Sequence, residues 1–269
     1  MNKTKNTIIC IVGKSGSGKT TLSIELLKHY NIPFICSYTT RPMRDGETDG
    51  IEHQFVTDND MPNKNDICAY TKFGGYQYWT TFSQLDENNV STYIIDEAGI
   101  EYFNNVCKGR YNVYYVNVIR DNLDEIDKDR LERDNDRVTE TYSYNCTIYN
   151  NGSINDMVDQ FIKWYNSLYT VYISIPIANH DWSEQENKAN EYEQRYKRLG
   201  YNVYNPFKIP APVYNKSEEE TYAYYMGESV KRLLKSDIII MTPGWNKSKG
   251  CRTEHEIAKV YNIEIVISN

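Results

Sequence analysis

Residues Ile8 to Thr20 read IICIVGKSGSGKT. The first five form a short continuous apolar run, the pattern of a strand buried on both faces. Glycines then break the run, and from Thr20 to Tyr30 the apolar residues Leu22, Leu26, Leu27 and Tyr30 recur at helical spacing. Strand, glycine loop, lysine, hydroxyl and helix in that order predict an α/β fold whose loop wraps a polyphosphate. Backbone N–H groups along Gly13, Ser15, Gly16, Ser17 and Gly18 would face the phosphates, with the helix dipole assisting. Lys19 would reach the β- and γ-phosphates, and the Thr20 hydroxyl would join a Mg2+ shell. ATP with Mg2+ is the expected donor.

Working outward, Ile32–Cys36, Tyr93–Asp96 and Tyr111–Val118 read as further strands, and Met157–Leu168 as an amphipathic helix that closes a first domain. A second alternation starts at the strand-like Val171–Ile175. Glu184–Leu199 is a charged helix ending at Gly200, and Val203–Tyr204 is a short strand stopped by Asn205-Pro206. Glu218–Leu234 and Thr253–Tyr261 read as helices, Asp237–Met241 and Ile263–Ile267 as strands. The alternation predicts two parallel sheets covered by helices, in domains 1–167 and 168–269 with the seam near Ser167.

The 269 residues carry a net charge of −7, which disfavours a nucleic-acid footprint and favours small-molecule partners. Six scattered cysteines form no CxxC pair and read as reduced, mostly buried thiols. No run approaches the roughly 20 apolar residues a membrane helix needs, and no secretory leader is read, so a cytoplasmic protein without a membrane partner is expected. The 25 tyrosines suit an AT-rich genome, phage or low-GC bacterium, and decide nothing about activity.

SYTTRPMRDGETDG, from Ser37 to Gly50, closely resembles the acceptor site of guanylate kinases, and the likeness extends over roughly Asn6 to Leu168. It implies a P-loop kinase fold that binds a nucleoside monophosphate, GMP or dGMP leading. By that likeness Arg41 and Arg44 hold the acceptor phosphate, for which planar guanidinium groups are suited. Ser37 would face the base, with Gly46 and Glu47 completing the motif. FGGYQYWTT (Phe73–Thr81) would put Tyr78 on the phosphate and Thr80 on the base. IIDEAG (Ile94–Gly99) would supply Asp96, and TIYNN (Thr147–Asn151) would place Asn150 beside the donor adenine. Ile119–Arg137 resembles a shortened lid, with Arg130, Arg133 and Arg137 as candidates to stabilise the transferring phosphoryl. Two positions depart from the pattern. His53 falls where the family has a phosphate-binding tyrosine, and Ala69 where an acid accepts from guanine. The missing charge-assisted bond is worth roughly 1.5–3 kcal/mol and leaves a different or modified base open.

SDIIIMTPGWNKSKGCRTEHEIAKVYNIEIVI (Ser236–Ile267), with YISIPI (Tyr172–Ile177) and YNVYNP (Tyr201–Pro206), resembles the nucleoside 2-deoxyribosyltransferase superfamily, especially its branch acting on nucleoside monophosphates. The likeness implies a smaller Rossmann-like or flavodoxin-like α/β domain over Thr170–Asn269. It makes Glu254 the residue that attacks the anomeric carbon, with Glu256 as the neighbouring rival. Tyr172, Ser174, Asp237, Ser248 and Gly250 are the accompanying nucleotide-binding candidates, Ser248 and Gly250 for a phosphate. Ser229 stands where an aspartate is usual, with Glu228 adjacent, and Ile175 stands where a glycine is usual. Ile175 would narrow the pocket or force φ into a range that excludes the usual turn. The domain could hydrolyse, transfer or only bind, and its short length leaves the pocket to be completed by the neighbouring domain or a second subunit, as in a homodimer. The whole chain reads as a bifunctional nucleotide-metabolism enzyme, with a non-catalytic sensing or protein-binding module as the alternative.

Overall fold

A computed structural model describes residues 5–121, 142–213 and 217–268. The expected lid residues Arg130, Arg133 and Arg137 lie outside the described residues. The chain divides into two compact units, Met1–Gln160 and Phe161–Asn269. The division falls earlier than the seam expected near Ser167, inside the helix Ile154–Asn166.

In the first unit the opening apolar run is strand β1 (Thr7–Val12), buried at every residue. Its flanking strands are β2 (Phe34–Ile35), β7 (Val90–Ile94), β8 (Asn112–Ile119) and β9 (Cys146–Tyr149). They form a parallel five-stranded sheet in the order β2-β7-β1-β8-β9. Burial on both sides of β1 is why the run is continuous rather than alternating. One face packs on the helix Glu97–Cys107, where Ile8, Cys10, Val12, Tyr93 and Phe103 share a core.

This unit also carries a second sheet that the strand–helix alternation does not predict. Strands β3 (Tyr38–Thr39), β4 (Gln54–Phe55), β5 (Ile67–Phe73) and β6 (Tyr76–Thr81) order as β4-β3-β6-β5. β6 runs antiparallel to both neighbours, and only β3 and β4 are parallel. The Gly74-Gly75 turn, with φ of 59° and 85°, permits the tight β5–β6 hairpin.

The second unit is a parallel four-stranded sheet of β10 (Thr170–Ser174), β11 (Asn202–Tyr204), β12 (Ile238–Met241) and β13 (Glu264–Ile267) in the order β11-β10-β12-β13. Alternation along β10 divides its neighbours. Ile173 and Ile175 pack with Ala189 of the helix Trp182–Arg198, whereas Tyr172 packs with Leu233 of the helix Glu218–Leu233 and Cys251 and Ala258 of the helix Lys249–Val260. The last helix starts at Lys249, not Thr253, because the Ser248 side chain caps it by accepting from Cys251 N. Gly200 ends Trp182–Arg198 at φ 100°, and a Cβ there would collide with the Lys163 carbonyl. Gly200→Ala is therefore expected to cost about 1–3 kcal/mol, read as a lowered urea midpoint. A midpoint equal to wild type would refute that steric reading. No helix among the described residues is long and apolar enough to cross a membrane.

Candidate functional site

A cavity of ≈ 1550 Å³ opens in the first unit between the glycine loop and the second sheet. The loop reaches its shape through φ of 145° at Gly13, 75° at Gly16 and 102° at Gly18, a region that L side chains rarely adopt. Space enforces the same choice: a Cβ on Gly13 would strike the Val118 carbonyl, and one on Gly18 the Asn150 amide. Lys19 Nζ donates to the carbonyls of Gly13 (2.6 Å) and Lys14 (2.7 Å), arching back over the loop. Gly13, Ser15, Gly16, Gly18, Lys19 and Thr20 all line the cavity, whereas Ser17 is buried beneath the loop at 1% exposure. Asn150 also lines it, and its Nδ2 donates to the Ser17 carbonyl at 2.8 Å, so this amide braces the loop.

The opposite wall gathers Ser37, Arg41, Arg44, His53, Tyr78 and Asp96. Arg41 is 7% exposed, and its fork meets Glu47 with two bonds of 2.9 Å. Glu47 also accepts from Arg44 N at 2.9 Å. The hydrogen bond from Arg41 holds the Glu47 carboxyl below its usual range. One carboxylate thereby holds the Arg41 side chain and the Arg44 backbone. Ser37 Oγ lies 2.9 Å from His53 Nδ1, and the His53 ring meets Tyr78 edge-on at 5.4 Å. Burial, then the Arg41 charge, pushes the His53 imidazole below its ordinary pKa. Asp96 caps the helix Glu97–Cys107 by accepting from Gly99 N at 2.9 Å.

Thr80 departs from its expected place. It is fully buried behind the wall, and its hydroxyl donates to Tyr93 Oη at 3.1 Å. It shares a strand face with Tyr78 but lies one step deeper, where Tyr93 covers it. Thr71, Arg120 and Asp121 are among the cavity residues not anticipated as site members. Asp121 is tied to Asn151 by two bonds, N to Oδ1 at 3.0 Å and Oδ2 from Nδ2 at 2.6 Å. The available signal was position, since Arg120 and Asp121 directly follow β8 at its carboxyl end, where ligands of open parallel sheets bind.

In the second unit Glu254 is 6% exposed and held at both oxygens. Oε1 accepts from the Tyr172 hydroxyl at 2.7 Å and Oε2 from Ser174 Oγ at 2.6 Å. Burial raises its pKa to about 7, and the two hydroxyl bonds only partly oppose that. The cluster sits at the carboxyl ends of β10 and β12, where the strand order reverses. Ser229, 7% exposed, lies beside the Tyr172 hydroxyl on the neighbouring helix. Ser248 and Gly250 lie at the start of the helix that carries Glu254. The rival Glu256 has a side chain 66% exposed, bonded to His255 and Lys259.

Two expectations fail in this unit. Asp237 accepts from Thr170 N at 2.8 Å, at the amino end of β10, so it fixes strand register at the far end of the strand from Ser174. Ile175 has no left-handed φ and is buried with Ile173 and Ala189 on the other face of the sheet from Tyr172, so it forces no strained turn.

Residues 5–163 match the family model for guanylate kinase, and residues 169–267 match a domain of unknown function (DUF4406). The guanylate kinase of Mesoplasma florum is 29% identical over 145 residues, 51% of this chain and 49% of its own length. That of Helicobacter hepaticus is 33% identical over 116 residues, 39% of this chain and 58% of its own. The chain thus spans about half the length of these curated relatives. Among solved structures, guanylate kinase from Anaplasma phagocytophilum aligns with 58% of this chain and 82% of its own at 24% identity and TM-score 0.47. A 2-deoxyribosyltransferase from Bacillus psychrosaccharolyticus aligns with 36% of this chain and 70% of its own at 17% identity and TM-score 0.31.

Proposed function

Because the chain belongs to the guanylate kinase family through residues 5–163, we propose that its first unit transfers the γ-phosphoryl of ATP to a purine nucleoside monophosphate, GMP or dGMP leading. The observation that carries this reading is one continuous cavity lined by the glycine loop on one side and by Arg41, Arg44 and Tyr78 on the other. Such a cavity can seat two phosphate groups facing each other, and phosphoryl transfer needs positioning and charge stabilisation more than covalent chemistry. Lys19 would neutralise charge on the donor phosphates, and Arg44 with Arg41 would fix the acceptor. Among the described residues no group of three or more His, Cys, Asp or Glu could hold a metal, while Thr20 lines the cavity. That donor set fits Mg2+ arriving with ATP, its remaining ligands being phosphate oxygens and water. When bound, the ion would offset phosphate charge.

Glu47→Ala would release the Arg41 guanidinium and the Arg44 backbone from their shared carboxylate. The acceptor KM is expected to rise on the order of tenfold or more, the scale of a charge-assisted hydrogen bond, with the ATP KM unchanged. Equal changes in both KM values in steady-state kinetics would contradict this assignment.

For the second unit we infer cleavage or exchange of the N-glycosidic bond of a nucleoside monophosphate, with Glu254 as nucleophile. The buried carboxylate at the switch point of the sheet supports it. In the first step the C1′–N bond breaks, a C1′–O bond to Glu254 forms, and the leaving base takes a proton from water. Water then resolves the ester to a sugar phosphate, or a second base does so to a new nucleotide. Binding without turnover is the competing reading, and it is favoured by Ser229, which offers no acid where the resemblance calls for one. Incubating the full chain with ribo- and deoxynucleoside monophosphates, with and without Mg-ATP, followed by mass spectrometry, tests both units. Nucleoside diphosphate supports the kinase and free base supports the glycosidase. Neither product under any condition would overturn both readings in favour of a sensor.

A further inference from the structure

His53 stands where the phosphate-facing and base-facing parts of the acceptor wall meet. Its Nδ1 is committed to Ser37 Oγ at 2.9 Å, and it lines the same cavity as Arg41 and Arg44. The nitrogen left for a ligand is Nε2. A neutral ring can accept the Ser37 hydroxyl proton at Nδ1, which leaves Ser37 showing only lone pairs to a base. A protonated ring donates from both nitrogens, so Ser37 oxygen accepts from Nδ1–H and its own hydroxyl proton is freed.

The surroundings pull both ways, and without a ligand the neutral ring prevails. Burial and the Arg41 guanidinium favour the neutral ring, while Glu47 and Glu52 favour the charged one. Tyr78 and Phe55 contribute ring edges at 5.4 Å and 6.1 Å. Asp49, bridged to His53 through the backbone, turns its carboxylate to Phe55 N. A phosphomonoester dianion brought to Arg41 and Arg44 adds negative charge beside the ring and offsets the Arg41 charge that disfavours protonation.

We propose that His53 is a specificity-determining residue: the acceptor phosphate draws a proton from solvent onto His53, and that proton reverses the Ser37 hydrogen bond so that the hydroxyl donates to the base. The site then selects a purine with an acceptor at that edge, a 6-oxo purine, over a 6-amino purine. The phosphate end of the nucleotide thus sets the hydrogen-bond polarity shown to its base. The proposal rests on the kinase reading of the first unit.

Calorimetric titration of the full chain with GMP, slightly above neutral pH in buffers of different ionisation enthalpy, counts the protons exchanged. Wild type is expected to take up about one proton per GMP and none with guanosine, which lacks the phosphate. His53→Gln is expected to take up none with either ligand, and its preference for GMP over AMP in kcat/KM falls about tenfold, the worth of one hydrogen bond. Ser37→Ala separates the steps, since it keeps proton uptake and loses the preference. Circular dichroism confirms that each variant folds. Uptake that persists in His53→Gln, or GMP binding by wild type without uptake, overturns the proposal alone. A folded wild-type chain that does not bind GMP overturns the kinase reading with it.

Discussion

Lys19→Ala is expected to abolish nucleoside diphosphate formation while leaving the chain folded and any release of free base unchanged. Lys19 Nζ is held by the Gly13 and Lys14 carbonyls at 2.6 and 2.7 Å, so the cation is presented at the cavity before any ligand arrives. A charge placed in advance costs no reorganisation during transfer, and deleting one such group commonly lowers kcat by roughly 10²–10³-fold. The loss of stability should be small, because the loop shape is set chiefly by the left-handed glycines and by Asn150 on the Ser17 carbonyl. Lys19→Arg is expected to fail nearly as badly, since a planar fork does not replace a point charge seated between two carbonyls. Coupled-assay kinetics with matched thermal melts give the answer. Diphosphate formation within a few-fold of wild type would mean that the loop binds nucleotide without driving transfer.

Local features were legible in the sequence, and features made by long-range pairing were not. The path from β1 through the glycine loop to the helix Lys19–Tyr30 is local, so apolar pattern and glycine placement specify it together. The sheet that forms the acceptor wall was missed because β3 and β4 are two residues long, too short for any periodicity to register. The six-residue separation of Arg41 and Glu47 belongs to no regular element, and their pairing exists only once the turn at Gly46 (φ 82°) brings them together. Glu254 was found by pattern, but its environment was not. Placing the helix start at Thr253 would make it an exposed first-turn acid. Ser248 moves the start back to Lys249, and that turns Glu254 inward against Tyr172 and Ser174. Asp237 shows the converse error. Its residue type suits a site, but it lies at the amino end of β10, opposite the end where ligands of such sheets bind.

Glu254→Gln is expected to remove free-base release, a loss of roughly 10³-fold or more on the scale of nucleophile deletions, and at the same time to stabilise the second unit above neutral pH. Both effects follow from burial. An ordinary glutamate has a pKa of 4.5, and this one is raised to about 7, so the folded chain holds its proton where the unfolded chain has released it. Stability from this group is complete below about 4.5 and is lost as pH rises through about 7, which by linkage amounts to roughly 3 kcal/mol. Glutamine keeps the shape, can accept from one hydroxyl and donate to the other, and never ionises. Its melting temperature should therefore match wild type near pH 4.5 and exceed it above pH 7, in scans across that range. Cleavage by wild type should show the opposite dependence, rising through about pH 7 as the nucleophilic carboxylate forms. A stability gain independent of pH would show that Glu254 is not a buried acid of raised pKa. If the gain follows pH but wild type releases no base, the carboxylate serves binding rather than catalysis. A buried charge kept at a stability cost, with a neutral isostere available, is the signature of a residue retained for chemistry, and melting and product assays on the same variant measure both sides of it.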